Sequence, residues 1–75
     1  MPAQNALGSF GLTPREREVL TWVAQGKTNY EIGLILGACT GTICKHVERI
    51  LHKLYVKNRT AAAVIALTVL AKAKI

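Results

Sequence analysis

Aromatic side chains are scarce in this chain: one Trp, two Tyr and one Phe in 75 residues. A core must therefore be built from Leu, Ile, Val and Ala, a mix that suits helices. Only two cysteines occur, Cys39 and Cys44, too few for the disulfide framework that staples small secreted domains. Met1 to Phe10 holds neither a basic nor an apolar stretch, so no secretory signal is expected. The most apolar stretch, Ala61 to Ala71, falls well short of the ~20 residues a membrane span needs. A soluble, cytoplasmic protein with no membrane partner is the expectation. A chain this short buries only ~60% of its unfolded surface, which argues against a deep, dry catalytic pocket.

Acidic residues are few as well, four against ten Lys and Arg, for a net charge of +6. Residues 1–40 hold Arg15, Arg17 and Lys27 against Glu16, Glu18 and Glu31, which cancel. Residues 41–75 hold Lys45, Arg49, Lys53, Lys57, Arg59, Lys72 and Lys74 against Glu48 alone, so the whole +6 lies there. Charge segregated in this way points to a polyanionic partner. An ordinary solubilising surface is the plainer alternative.

Residues 1–11, with Pro2, Gly8 and Gly11, read as a flexible lead-in, and residues 12–75 as one domain. Thr13, Pro14 and Glu16 predict a helix start: a cap, a proline at the first helical position, and a capping box closed three residues on. That helix should cover about residues 14–25, with Val19, Leu20 and Val23 inward, Trp22 at the edge, and Gly26 ending it. Leu12, just before the cap, is placed to staple onto the first turns. Glu16 falls at the core margin, where capping alone or a basic partner such as Arg59 would account for it. A second capping box, Thr28 with Glu31, opens a helix over about residues 29–36 with Ile32, Ile35 and Leu36 inward. Gly33 inside it would cost ~1 kcal/mol against Ala, a cost explained by close approach of a neighbouring helix. Gly37 breaks the pattern.

The third segment, residues 40–54, has the cleanest period: Ile43, Val47, Ile50, Leu51 and Leu54 share one stripe. Gly41, Cys44, Lys45, Glu48, Arg49 and His52 lie opposite it. Lys45, Arg49, Lys53 and Lys57 step by four and form a slowly winding basic ribbon. The fourth segment, residues 59–72, is apolar nearly all round and needs cover on two sides. Ala62, Ile65, Ala66 and Val69 are assigned to the core. Val64, Leu67 and Ala71 face the other way, with Leu70 between, and form a candidate dimer surface. The expected fold is all-α, a four-helix bundle containing a helix-turn-helix.

Enzymatic readings gain nothing from Cys44, His46 and Glu48. Two residues apart on a helix means about 200° of rotation, so no thiol–imidazole pair forms, and no catalytic residue is assigned. Cys39, Cys44, His46 and His52 lack the paired spacing of a zinc site, so neither metal nor cofactor is expected. His46 reads as a packed residue beside Ile43 and Ile50, and His52 as solvated or near phosphate.

Leu12-Thr13-Pro14-Arg15-Glu16-Arg17-Glu18-Val19-Leu20, Ala24, Gly26, Thr28-Asn29, Glu31-Ile32, Thr42-Ile43, His46, Ile50, Lys53-Leu54, Val56 and Asn58-Arg59-Thr60 together resemble the LuxR-type (GerE-like) DNA-binding domain, without a gap. The resemblance implies a bacterial transcriptional regulator that binds double-stranded DNA through its third helix, in the major groove, and dimerises through its fourth. It places Cys44, Lys45 and Glu48 at base edges, and Thr28, Thr42, Arg49 and Lys53 near the DNA backbone. A weak homodimer on an inverted-repeat site is expected, with RNA polymerase a further candidate partner. Some family members are response-regulator effector domains behind a receiver or ligand-binding domain. No such domain lies in these 75 residues, which leaves a stand-alone effector and a part of a longer regulator both open. Departures from the family pattern are Cys39 at the third helix's cap, Gly41 and Cys44 at usually polar positions, Gly33 for Ala, and Tyr55 for Gly. A protein-interaction module of the same fold, with weak DNA binding, is the alternative that Gly41 and Cys44 favour.

Overall fold

The computed structural model describes residues 10–73, which form four helices in this order: α1 (Pro14–Ala24), α2 (Asn29–Leu36), α3 (Thr40–Leu54) and α4 (Arg59–Ala73). Most of the expected lead-in lies outside the described residues. Phe10, at its end, is half-buried and packs on the core.

The helix starts follow from local chemistry. Thr13 Oγ1 accepts from the Glu16 N–H at 3.1 Å while Glu16 Oε1 accepts from the Thr13 N–H at 2.9 Å. Thr28 and Glu31 repeat the arrangement with the same distances. Each box satisfies two N–H groups that have no partner within the helix. Cys39 caps α3 with its backbone only, since its side chain makes no capping bond. Asn58 Oδ1 accepts from the Ala61 N–H at 2.8 Å, which fixes the first turn of α4.

Three helix ends use left-handed backbone, the first at Gly26 after α1, φ 82°. Gly37 ends α2 at φ 69°, and Ala38 donates back to the Gly33 carbonyl at 2.9 Å. This turn curls so tightly over α2 that a Cβ on Gly33 would lie 2.6 Å from the Ala38 carbonyl oxygen. The glycine is thus needed by the backbone of the turn itself rather than by a neighbouring helix. Tyr55 ends α3 at φ 57°, ψ 41°, a left-handed conformation that glycine adopts more cheaply.

The core joins Leu12, Val19, Leu20, Val23, Ile32, Ile43, Ile50, Leu54, Ala62, Ala66 and Leu70, all buried. Leu36 and Val47, expected inside, are half-buried at its margin. Ile35, also expected inward, is 46% exposed. The buried face of α2 is centred between Ile32, Gly33 and Leu36, because α2 packs mainly on α3 and brings the Ala38–Thr40 backbone against Gly33. Ile35 is turned ~100° away from that centre. On α4, Leu70 joins Ala62 and Ala66 inside, so the buried stripe is rotated from the expected one, and Ile65 and Val69 are half-buried. Across the break after Leu54 the axes of α3 and α4 bend by 69°, so that α4 lies on α1 while α3 keeps an outer face. No single helix among the described residues is long and apolar enough to cross a membrane.

Candidate nucleic-acid interface

Helix α3 presents a polar outer face because its apolar residues are all on one side. Ile43, Ile50 and Leu54 are buried, whereas Gly41, Thr42, Cys44, Lys45, Glu48, Arg49 and His52 are exposed. Lys45 and Arg49, one turn apart, therefore reach solvent from the same strip. Among the described residues neither enters a salt bridge. Their charges are available to an outside anion, and they carry long stems that can adjust to it. Thr42 sits in the first turn of α3, and Thr28 stands at the start of α2. The Thr28 hydroxyl oxygen is used as an acceptor by its own helix, which leaves the O–H free to donate. The nearby Glu31 carboxylate is held below its ordinary range by the Thr28 backbone and side-chain hydrogen bonds.

Lys53, expected near the DNA backbone, differs from Lys45 and Arg49 in having a carboxylate partner within the domain. Its Nζ lies 2.6 Å from Glu16 Oε1 and donates to the Gly11 carbonyl at 3.2 Å. Glu16 is buried, 2% exposed, so the ammonium is drawn inward to neutralise it. Burial works against ionisation of Glu16, but the Lys53 and Thr13 hydrogen bonds together with the Lys53 charge hold its carboxyl below 4.5. The expected partner, Arg59, is engaged elsewhere: its guanidinium donates to Asn29 Oδ1 and to the Lys27 carbonyl.

Cys44 is also occupied. The thiol is exposed, and Asn29 Nδ2 donates to its sulfur at 3.1 Å. Asn29 was part of the family resemblance but carried no role in the sequence reading, since its partners lie 15 and 30 residues away. His46 is half-buried, as a packed residue should be, with its Nδ1 buried and unpaired among the described residues. The described residues contain no group of three His, Cys, Asp or Glu side chains placed to hold a metal ion.

A short capped helix, a Gly turn and a longer helix with a basic outer face form the geometry of a helix-turn-helix. Residues 11–66 match the family model described as bacterial regulatory proteins, luxR family. The chain belongs to that family. It is 45% identical over 69 residues to the transcriptional activator protein SolR of Ralstonia nicotianae, covering 92% of the chain and 29% of SolR. It is 49% identical over 63 residues to the transcriptional regulatory protein LiaR of Bacillus subtilis, covering 84% of the chain and 30% of LiaR. A putative HTH-type transcriptional regulator of Escherichia coli, YhjB, is 50% identical over 52 residues, 69% of the chain and 26% of that protein. The chain thus spans less than a third of the length of these relatives. No solved structure gives a significant match. The family's description and the names of these relatives are those of transcription regulators.

Proposed function

We propose that α3 enters the major groove of double-stranded DNA and that the chain regulates transcription as a dimer on an inverted-repeat site. The observation that carries this reading is the exposed strip of α3, where Lys45 and Arg49, in no salt bridge among the described residues, stand beside Glu48. Lys45 can donate to guanine O6 or N7, and Glu48 can accept from the cytosine amino group. Cys44 adds at most an apolar contact, because Asn29 already holds its sulfur. Thr28, Thr42 and Arg49 flank that strip and serve the phosphates. Lys53 is expected with them; its ammonium is paired with Glu16, and the salt slope of a Lys53 variant tests whether it also meets a phosphate.

The second helix face needed for a dimer is open. Val64 is 58% and Leu67 50% exposed, and Ala71 is exposed beside them. Pairing this patch with its two-fold copy would set two α3 helices about one DNA turn, ~34 Å, apart. The patch is small, so pairing is weak in solution and completed on DNA. Action in the cytoplasm on RNA polymerase, as an effector domain under the control of a signal, extends the same reading. SolR's designation as an activator supports the polymerase as partner.

The test is selection of duplexes from a randomised pool, followed by titration of the selected duplex against salt. Arg49→Ala should weaken selected and unrelated duplexes alike and lower the salt slope by about 0.9. Glu48→Gln should change base preference at one position per half-site. Binding that is absent, or insensitive to salt, would favour a protein-interaction module of the same fold.

A further inference from the structure

Arg59 is the first residue of α4, yet its side-chain hydrogen bonds among the described residues run to the start of α2. The half-buried guanidinium reaches across to the start of α2, where one amino group meets Asn29 Oδ1 and the other the Lys27 carbonyl. A planar fork with two donors suits two separate acceptors, which a lysine ammonium cannot match in the same geometry. Asn29 then passes the connection on, because its Nδ2 donates to Cys44 Sγ on the outer face of α3. One amide thus joins three helices: α4 through its oxygen, α3 through its nitrogen, and α2 through its backbone. The joined segment, Lys27 to Asn29, includes Thr28, and Cys44 adjoins Lys45.

We infer that Arg59 and Asn29 are positioning residues, which fix the groove-reading face of α3 and the Thr28 end of α2 relative to α4. The inference rests on the proposed placement of α3 in the groove. If α4 carries the dimer contact, this network holds each reading helix at a set angle to the dimer axis. On this inference Arg59 is not a phosphate contact, because both of its terminal amino groups are engaged by Asn29 and Lys27. Loss of the network should therefore blur sequence preference and leave the electrostatic component of binding intact. A loose reading helix still meets phosphates, but it no longer holds side chains in register with base edges.

The experiment compares wild type, Arg59→Ala, Arg59→Lys, Asn29→Ala and the Arg59→Ala/Asn29→Ala double variant, at a temperature where each is folded by circular dichroism. Two probes are used: the duplex that the wild-type chain selects from a randomised pool, and an unrelated duplex of equal length. The single variants should lose about tenfold in affinity for the selected duplex and less than about twofold for the unrelated one. The salt slope should stay at the wild-type value, and Arg59→Lys should fail to restore preference. The double variant should lose no more than the worse single, because both act through one node. A second readout needs no DNA: in a Cys39→Ser background, the rate at which an aromatic disulfide reagent labels Cys44 should rise severalfold in either single variant. Asn29→Ala keeps the inference testable should Arg59→Ala fail to fold.

Equal losses on both duplexes with an unchanged labelling rate would reduce the network to general stabilisation and overturn the inference. So would wild-type preference in Arg59→Ala, or a lowered salt slope, which would make Arg59 a phosphate contact. Should the wild-type chain bind neither duplex, the groove reading fails, and the labelling rate alone then tests the network.

Discussion

Replacing Lys53 by Met keeps most of the side chain's apolar stem and removes the ammonium that lies 2.6 Å from Glu16 Oε1. Breaking a fully buried pair on one side costs ~3–5 kcal/mol, because the remaining charge is left without compensation. Here the pair is buried unevenly: the Glu16 side chain is 3% exposed and that of Lys53 32%. Thr13 also continues to donate its N–H to the carboxylate at 2.9 Å. Both facts lower the expected cost to ~2–3 kcal/mol, out of roughly 4–11 kcal/mol available to a domain of this size. Urea denaturation at pH 7 should register that loss, and thermal melting should fall by roughly 10–20 °C. The sign with pH follows from Glu16, whose carboxyl is held below its ordinary 4.5 in the folded state. Its contribution is fully present above 4.5 and is lost as pH falls through the lowered folded value. The gap between wild type and variant should therefore be widest near neutrality and narrow on acidification. The same variant separates two roles for Lys53, since loss of a phosphate contact would lower the salt slope by about 0.9 and loss of an internal ion pair leaves it unchanged. A stability loss under ~0.5 kcal/mol together with a lowered slope would refute the reasoning.

Gly33→Ala should destabilise by ~1–3 kcal/mol in urea despite alanine's better helix propensity, because the new Cβ would lie 2.6 Å from the Ala38 carbonyl. Tyr55→Gly should raise stability by ~1 kcal/mol by the same assay: the residue sits at φ 57° and is 94% exposed, so little packing is lost. Leu67→Asp should melt like the parent yet abolish cooperative binding to a duplex with two half-sites, as read by gel shift; retained cooperativity would move the dimer contact elsewhere.

The sequence by itself determined what depends on residues within a turn or two of one another. Thr13 with Glu16 and Thr28 with Glu31 are three residues apart, so their boxes and the helix starts they fix were legible directly. The period of Ile43, Ile50 and Leu54 likewise assigned the inner and outer faces of α3, and with them the exposure of Lys45, Glu48 and Arg49. Gly26 and Gly37 marked helix ends because only a residue without Cβ turns the chain so cheaply. Tertiary structure decided which charges stay free. Lys53 and Glu16 stand 37 residues apart, and Arg59 and Asn29 stand 30 apart. A regular four-residue step cannot tell a lysine that reaches solvent from one drawn to a buried carboxylate. Ile35 left the core for the same kind of reason: in a helix of eight residues, the backbone of the following turn folded over Gly33 sets the buried face more strongly than the period does. Periodicity reports where a helix can bury surface, while the packing of α3 and α4 fixes where it does, and which polar side chains are left to meet a partner.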